Sequence, residues 1–219
     1  MKPFSGVILA VLLTGCSAVY VAVPIGDSPL DLSTSADELN GTWVNPEFPA
    51  LNVKVEDATN GFLRVRYVDD AAGKPELTEF DVYLREGAGK TFASARLRAS
   101  TNENAYLWFR FEKSERSVFL WLPDAVKFAR LTDAGVFPGT IEKERIPKTI
   151  SFSATFTGGE EINTEKLFGN AVTNAYHESD TLTVRLNALS TNHLELIASE
   201  RSGVLFNWEK PVVFFKLSK

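Results

Sequence analysis

The sequence predicts an all-β fold, either an antiparallel β-barrel or a barrel-like sandwich, with at most one or two short helices. Apolar and polar residues alternate with a period of two in many short segments, which is typical of strands with one buried face. Turn residues separate these segments at intervals of roughly 8–12 residues, the spacing of antiparallel all-β domains. The predicted strands include residues 51–55, 63–67, 80–84, 107–111, 126–128, 152–156, 182–186 and 212–217.

The composition is typical of a chain that buries a large apolar core and has no disulfide bonds. The 219 residues are 44% hydrophobic and include 16 Phe, 5 Tyr and 4 Trp, whereas Cys16 is the only cysteine. Because a single cysteine has no intramolecular disulfide partner, stability must come from apolar burial. The formal net charge of −5 lacks the basic excess typical of nucleic-acid binding, so we expect no nucleic-acid partner.

The first sixteen residues predict export and lipid attachment. Lys2 precedes an apolar run over residues 4–13, which has the length of a secretory signal and is too short to span a bilayer as a helix. The run ends in Leu13-Thr14-Gly15-Cys16, and these four residues resemble the bacterial lipobox. The resemblance implies cleavage between Gly15 and Cys16 and acylation of the Cys16 thiol. Cleavage removes one charged residue, Lys2, so the mature chain carries a formal charge of −6.

The lipobox resemblance also implies a location in the bacterial cell envelope. Proteins of this type are held at a membrane by N-terminal acyl chains, and several chains together make a firm anchor. Ser17-Ala18 follows the cysteine without the Asp that favours inner-membrane retention, so we expect the outer membrane, facing the periplasm. Residues 16–40 contain several Pro and Gly residues and are predicted to be the lipidated N-terminus and a tether. Residues 41–219 are then a single barrel-like domain.

An internal similarity leaves a second domain organisation open. Residues 115–131 and 200–217 share a Glu-Arg-Ser start, a tryptophan, and an ending of the form V-x-F-x-basic-L. A duplicated hairpin would divide the domain into two similar halves with a boundary near 135–138, whereas two edge hairpins of similar length would look alike by chance. The one helix that the sequence predicts at greater length lies at 163–173.

A short motif at the start of the domain predicts how the barrel closes. Gly41-Thr42-Trp43 opens the first predicted strand after a short helical turn, and a glycine permits a tight entry into the strand. The pattern resembles that of the lipocalins and the wider calycins, in which the Trp closes the base of an up-and-down barrel and a basic residue of the last strand packs across it. The resemblance implies Gly41, Trp43 and Lys216 as closure residues, with Arg130 as the cation if the barrel closes early. A cation over an indole face contributes about 0.5–2 kcal/mol.

No catalytic, metal or cofactor site is predicted. His177 and His193 are the only histidines, and neither has a metal-ligand spacing such as H-E-x-x-H. We expect His177 in an exposed loop and His193 in a turn. The sequence has no nucleophile elbow of the form G-x-S-x-G. Glu160 and Glu161 leave a paired-carboxylate hydrolase as a minor alternative, and we expect that the protein is not an enzyme.

Two functions are therefore open for the domain. In the first, an anchored lipocalin-like barrel binds a small apolar ligand or lipid in its interior, as the G-x-W resemblance implies. In the second, the domain has a filled core and acts as a non-catalytic structural or interaction lipoprotein that docks a protein of the envelope. Tyr83 and Trp108 lie on the strand faces opposite to the alternating core and would then be exposed docking residues. Because eight strands are just wide enough for either a filled or a hollow interior, the sequence does not decide between the two.

Overall fold

Eight antiparallel strands close into a barrel in the part of the chain that the structure describes. The structure is a computed structural model that describes residues 17–69, 74–101, 105–146, 179–199, 205–206 and 208–217. Its strands are β1 (Ala18–Val21), β2 (Ser28–Pro29), β3 (Gly41–Asn45), β4 (Phe48–Asp57), β5 (Phe62–Asp69), β6 (Glu76–Gly87), β7 (Lys90–Leu97), β8 (Tyr106–Lys113), β9 (Ser117–Trp121), β10 (Gly139–Ile146), β11 (Ser179–Leu186) and β12 (Val212–Lys216). Its helices are α1 (Ala36–Leu39), α2 (Ala125–Asp133) and α3 (Thr191–Ser199).

The barrel follows the order of the chain except at its last strand. Strands β3 to β9 pair in sequence, each antiparallel to the next. Strand β12 then closes the ring by pairing with β9 along one edge and with β3 along the other. In the closing registers Phe215 lies opposite Val44, and Phe214 lies opposite Val118. The predicted antiparallel barrel is thereby confirmed, and no strand edge inside the ring is left open.

The alternation of the strands directs apolar side chains into the barrel interior. Successive residues of a strand point to opposite faces, so Leu107, Phe109 and Phe111 of β8 all enter the same inner cluster. Phe80 and Val82 of β6 join them. A fully buried side chain of this size contributes about 1.5–3 kcal/mol, so the inner cluster is one of the two main sources of stability.

A second core covers part of the outer wall of the barrel. Phe92 and Trp108 belong to the opposite faces of β7 and β8, where side chains of β1, β11, α2 and α3 pack around them. Trp108 is 1% exposed, and its ring makes edge-to-face contacts with Phe128 of α2 and with Phe206, at centroid distances of 5.5 and 5.7 Å. The prediction that Trp108 is an exposed docking residue is therefore wrong. The alternation pattern assigns a face correctly but does not show that a second layer covers that face.

The residues that follow Ser17 are part of the fold. Strand β1 pairs antiparallel with β8 and parallel with β11, and Val19 and Val21 are buried in the second core. Leu32 and Leu39 are buried in the inner cluster. The tether predicted for 16–40 is therefore not observed over residues 17–40. The physical reason is that this apolar, β-branched stretch suits a sheet edge, and burial of its side chains there lowers the free energy relative to exposure in water.

Helix α2 replaces the strand predicted at Val126 and Phe128. The Asp124 side chain caps this helix by accepting hydrogen bonds from two backbone amides of its first turn, at 3.0 and 3.1 Å. Gly135 lies just beyond the helix with a left-handed φ of +73°, which ends it. Phe128 is buried in the second core, whereas Arg130 is exposed on the helix. Arg130 is therefore not on a closing strand.

His193 lies in α3 and not in the predicted turn. The backbone amide of Ser190 donates a hydrogen bond to His193 Nδ1 at 3.0 Å, and the Ser190 carbonyl accepts one from the Leu194 amide at 3.1 Å. The bond to the Ser190 amide is one half of a capping box, with histidine in place of the usual Glu or Gln. The described residues contain three short helices, where the sequence predicts at most one or two. Because such short helices are marginal alone, α2 and α3 depend on the second core for their stability.

The two similar segments of the sequence adopt different structures. Residues 126–131 lie in α2, whereas the matching residues 212–217 form β12 and the position after it. The chain divides into one unit made of Met1–Glu142 and Leu182–Lys219, and a second unit, Lys143–Thr181. The similarity of sequence therefore does not extend to local structure.

Several predicted features lie outside the described residues. They are Gly15 and Cys16, the strand at 152–156, the helix at 163–173, Glu160 and Glu161, and His177. These features stay predictions.

Phe128→Ala tests whether the second core stabilises the barrel. Removal of this buried ring should lower the free energy of unfolding by about 3–5 kcal/mol, because it leaves a cavity against Trp108. Val126→Ala on the exposed side of the same helix is the matched control and should change stability by less than about 0.5 kcal/mol. Urea unfolding followed by circular dichroism measures both; equal effects would contradict a stabilising second core.

Candidate functional site

The interior of the barrel is hollow and is the candidate site. It contains a cavity of about 160 Å³ whose wall exposes only apolar atoms. The wall is formed by inward residues of the barrel strands together with one residue of α1. Representative wall residues are Leu39, Val53, Leu63, Val82, Ala95, Phe109 and Phe214. The exposed wall atoms of such a cavity offer only apolar contact and no hydrogen-bond partner.

Small residues on β7 leave the space that forms the cavity. Ala93 lies between Leu84 and Phe109 in the strand registers, and Ala95 lies between Val82 and Leu107. An eight-stranded barrel is just wide enough for side chains to fill its interior. Two alanines at adjacent inward positions therefore leave room where larger residues would complete the packing.

Trp43 lies at the α1 end of the cavity. Its side chain is buried, lines the cavity wall, and donates a hydrogen bond from Nε1 to the Leu39 carbonyl oxygen at 2.8 Å. This bond satisfies the only polar atom of the indole ring. The bond also ties the first barrel strand to α1, so the helix is held across this end of the barrel.

Gly41 and Lys216 lie beside Trp43 at the same end. Gly41 has a φ of +130°, a conformation that other residues rarely adopt, and a Cβ at this position would lie 3.3 Å from Lys216 Cε. Lys216 is the register partner of Trp43. Its ammonium donates hydrogen bonds to the carbonyl oxygens of Asp37 and Glu38, at 2.6 and 3.0 Å. The structure thus brings the three predicted closure residues together.

The Lys216 ammonium has a partner different from the predicted one. Among the described residues, the cation–ring contacts do not include one between Lys216 and Trp43. The ammonium instead meets the last carbonyl groups of α1, which carry the negative end of the helix dipole. Lys113 forms an ion pair with Glu38 of the same helix, and this hydrogen bond and charge lower the Glu38 pKa. Two lysines therefore fix α1 over the end of the barrel.

The outer wall of β5, β6 and β7 carries two charged ladders that sequence reasoning missed. Asp81 of β6 lies between Arg64 and Arg96, with nitrogen–oxygen distances of 3.4 and 3.6 Å. Two residues earlier on the same face of β6, Glu79 contacts Arg66 at 2.5 Å and Arg98 at 3.7 Å. The hairpin registers place residues 64, 81 and 96 side by side, and residues 66 and 79 likewise. The alternating charges at these positions are visible in the sequence, but they indicate a ladder only once the registers are known.

The charged ladders have a structural role. Asp81 is only 9% exposed, and a carboxylate at that depth requires cationic partners. Tyr83 lies next in line on the outer face of β6, stacked on Phe62 and edge-on to Tyr106. Burial is the main cause that raises the Tyr83 pKa above its ordinary value of 10.0. Tyr83 is therefore half-buried in an aromatic cluster and does not stand out as a docking residue.

The described residues do not assemble a metal centre. They contain no group of three or more His, Cys, Asp or Glu side chains placed to hold a metal ion. Ser190 Oγ lies 3.0 Å from His193 Nδ1, but the same nitrogen accepts the Ser190 backbone amide, as a helix cap requires. This serine–histidine pair is local and structural.

The comparisons with known proteins returned no relative. No protein-family model, curated protein or solved structure matches the chain. Within the ranges that the structure describes, there is no helix long and apolar enough to cross a membrane.

Lys216→Met tests the role of the ammonium at the base of the barrel. The change keeps the apolar stem and removes two hydrogen bonds to α1, so it should lower the free energy of unfolding by about 1–2 kcal/mol. Arg130→Met on the exposed side of α2 is the control and should be nearly neutral. Guanidinium unfolding monitored by tryptophan fluorescence measures both. An unchanged midpoint for Lys216→Met would show that closure does not depend on this cation.

Glu79→Gln tests the outer ladder through its pH dependence. The hydrogen bond from Arg66 and the charges of Arg66 and Arg98 lower the Glu79 pKa below its ordinary value of 4.5. A lowered folded-state pKa contributes stability that is present above the unfolded-state pKa and is lost as the pH falls through the folded-state value. The wild-type chain should therefore exceed Glu79→Gln in stability at neutral pH, and the difference should shrink below about pH 4.5.

Thermal unfolding of Glu79→Gln at a series of pH values measures this dependence. Glu47→Gln, at an exposed position away from both ladders, is the control. A difference between wild type and Glu79→Gln that stays constant across the acidic range would contradict an electrostatic role for Glu79.

Proposed function

We propose that this chain is a lipid-anchored protein of the bacterial outer membrane whose barrel binds a small apolar ligand, as lipocalin-like proteins do. The observation that carries the proposal is the hollow interior of a closed eight-stranded barrel, lined only by apolar atoms. A barrel that served only as a structural or docking domain has no need of such a space, because filling it would add stability. The cavity therefore favours ligand binding over the alternative of a filled interaction domain.

The size of the cavity limits the ligand. Its volume of about 160 Å³ is close to that of engineered apolar cavities of roughly 150 Å³, which stay dry and bind benzene or xenon. It is smaller than the roughly 300–1,000 Å³ of pockets that enclose a drug-sized molecule. The ligand is thus a small hydrocarbon group, either a whole small molecule or the terminal part of an acyl chain whose polar end remains outside.

The lipid anchor is supported by the N-terminal sequence. A basic residue, a short apolar run and Leu13-Thr14-Gly15-Cys16 occur in the order that lipoprotein signals require. The cysteine has no second cysteine with which to form a disulfide, so acylation gives it a use that an exported chain otherwise lacks. The ligand-binding barrel would then work at a membrane surface, where acyl chains and other apolar molecules are available.

Ala95→Phe tests ligand binding by filling the cavity. The probes are xenon and octanoic acid, added to a chain that begins at Cys16→Ser and needs no detergent. Native mass spectrometry and thermal shift should show binding of at least one probe to the wild-type interior, since a ligand that binds only the folded state raises Tm. Ala95→Phe should weaken that binding at least about tenfold, a change of about 1.4 kcal/mol.

The matched control adds the same side chain to the outside of the barrel. Ala50 is exposed on β4, so Ala50→Phe should leave probe binding unchanged. The stability of Ala95→Phe is measured in parallel, because overpacking costs about 1–3 kcal/mol. The proposal is wrong if neither probe binds the wild-type chain, or if both variants bind the probes equally well.

A further inference from the structure

An apolar surface lies on the outside of the barrel where β3, β12 and β9 pair. We call it the outer apolar face and define it by Val44, Phe119, Val213 and Phe215. Val44 and Phe215 are register partners, as are Val213 and Phe119, so the four side chains are neighbours on one face of the sheet. Phe215 is 51% exposed, and the other three are half-buried. None of the four belongs to the inner cluster or to the second core.

The described chain begins beside this face. Strands β9 and β1 occupy the same edge of β8, where Trp121 pairs with Arg110 and Tyr20 pairs with Leu107. Both strands run antiparallel to β8, so the start of β1 meets the end of β9. The registers thus bring Ser17, three residues before Tyr20, towards the part of β8 where Trp121 ends β9.

Trp121 joins that meeting point to the outer apolar face. Its ring stacks on Phe119, with centroids 6.0 Å apart and an interplanar angle of 18°. Its Nε1 donates a hydrogen bond to the Trp208 carbonyl oxygen at 3.3 Å, so the indole is held in place. The path from Ser17 through Trp121 to Phe119 and Phe215 is thus continuous along the outside of the barrel.

Only one peptide bond separates Cys16 from Ser17, the first residue that the structure describes. Ser17 already contributes to the sheet, because its Oγ accepts a hydrogen bond from the Leu182 backbone amide at 3.2 Å. An extended chain spans at most about 3.3–3.6 Å per residue. Ser17, the residue next to the proposed acylated cysteine, is therefore already held by the fold, so an anchor at Cys16 would keep the start of β1 close to the bilayer.

We propose that the outer apolar face lies against the lipid surface in which Cys16 is anchored. This inference rests on the proposed lipid anchor and adds the orientation of the barrel. Aromatic side chains are favoured at the interface between lipid and water, and exposed apolar surface gains free energy when it is buried there. With the anchor at Cys16, the start of β1 brings the nearby outer apolar face, rather than the opposite wall at β6, towards the headgroups.

The opposite wall supports this assignment. In the ring, β6 lies four strands from β12 in either direction. The outer face there carries the ladders of Arg64, Asp81, Arg66 and Glu79, whose charges favour water. Leu77 is also on this wall and is 61% exposed, so the wall offers an apolar reference position far from Ser17.

The experiment compares Phe215→Cys with Leu77→Cys in the full lipidated chain. Each variant is labelled with an environment-sensitive fluorophore and reconstituted in phosphatidylethanolamine–phosphatidylglycerol vesicles. The two sites are similarly exposed in the protein, so they differ only in their position on the barrel. The Phe215→Cys label should be quenched by nitroxide lipids and shielded several-fold from aqueous iodide. The Leu77→Cys label should show the reverse. Leu217→Cys, 51% exposed just after β12, gives a second position on the proposed membrane side.

The outcomes separate the orientation from the anchor. If the chain floats with the vesicles but the Phe215→Cys and Leu217→Cys labels are as open to iodide as the Leu77→Cys label, the orientation is wrong and the anchor stands. The fluorophore is attached as a maleimide, which reacts with free thiols. If the unsubstituted chain is labelled at a free Cys16 thiol and does not float with the vesicles, the proposed lipid anchor is wrong. Circular dichroism of each labelled variant checks that the fold is retained.

Discussion

Closure of the ring by β12 is the constraint on which the other features depend. This five-residue strand bonds to β9 through one edge and to β3 through the other, so every edge of the ring is paired. Its alternation gives neighbouring residues opposite environments: Phe214 packs inside, whereas Phe215 faces outward. Its last residue, Lys216, reaches the carbonyl oxygens of α1. The cavity wall, the base of the barrel and the outer apolar face therefore all follow from the placement of one strand.

The chemistry of the cavity determines how selective it can be. With a wall that exposes only apolar atoms, the affinity for a ligand would depend on the ligand's shape and size. The exposed wall has no polar group that a ligand of the wrong kind would leave without a hydrogen bond. One methylene more or less in such a pocket changes binding by only about 1–3 kcal/mol. The interior is thus suited to a class of similar hydrocarbon groups, and the Trp43 indole contributes its apolar surface, since its polar atom is already bonded to Leu39.

The sequence predicted the barrel because alternation and turn spacing are local properties. The G-x-W resemblance implied Gly41, Trp43 and Lys216, and only the glycine also follows from a backbone constraint. The sequence did not predict what lies outside the barrel. Trp108 and Asp81 both point away from the interior, yet both are buried, because tertiary layers and cross-strand partners cover them. Helix α2 shows a different failure. A period of two over three residues predicts a strand at 126–128, but the Asp124 side chain begins a helix there. The partner of Lys216 depends on where α1 ends, which local pattern does not encode.

The place of β12 in the chain has a consequence for how the molecule reaches its native state. Strands β3 to β9 form consecutive hairpins, which can assemble from local pairings, whereas β12 must return from the far end of the sequence to pair with β3. Such non-local pairing carries a larger loop-closure entropy and is slow. Until it forms, β3 and β9 present two unpaired edges that can recruit strands from other molecules. Completion of the ring is thus a late and vulnerable step in folding, during which self-association competes with the native pairing.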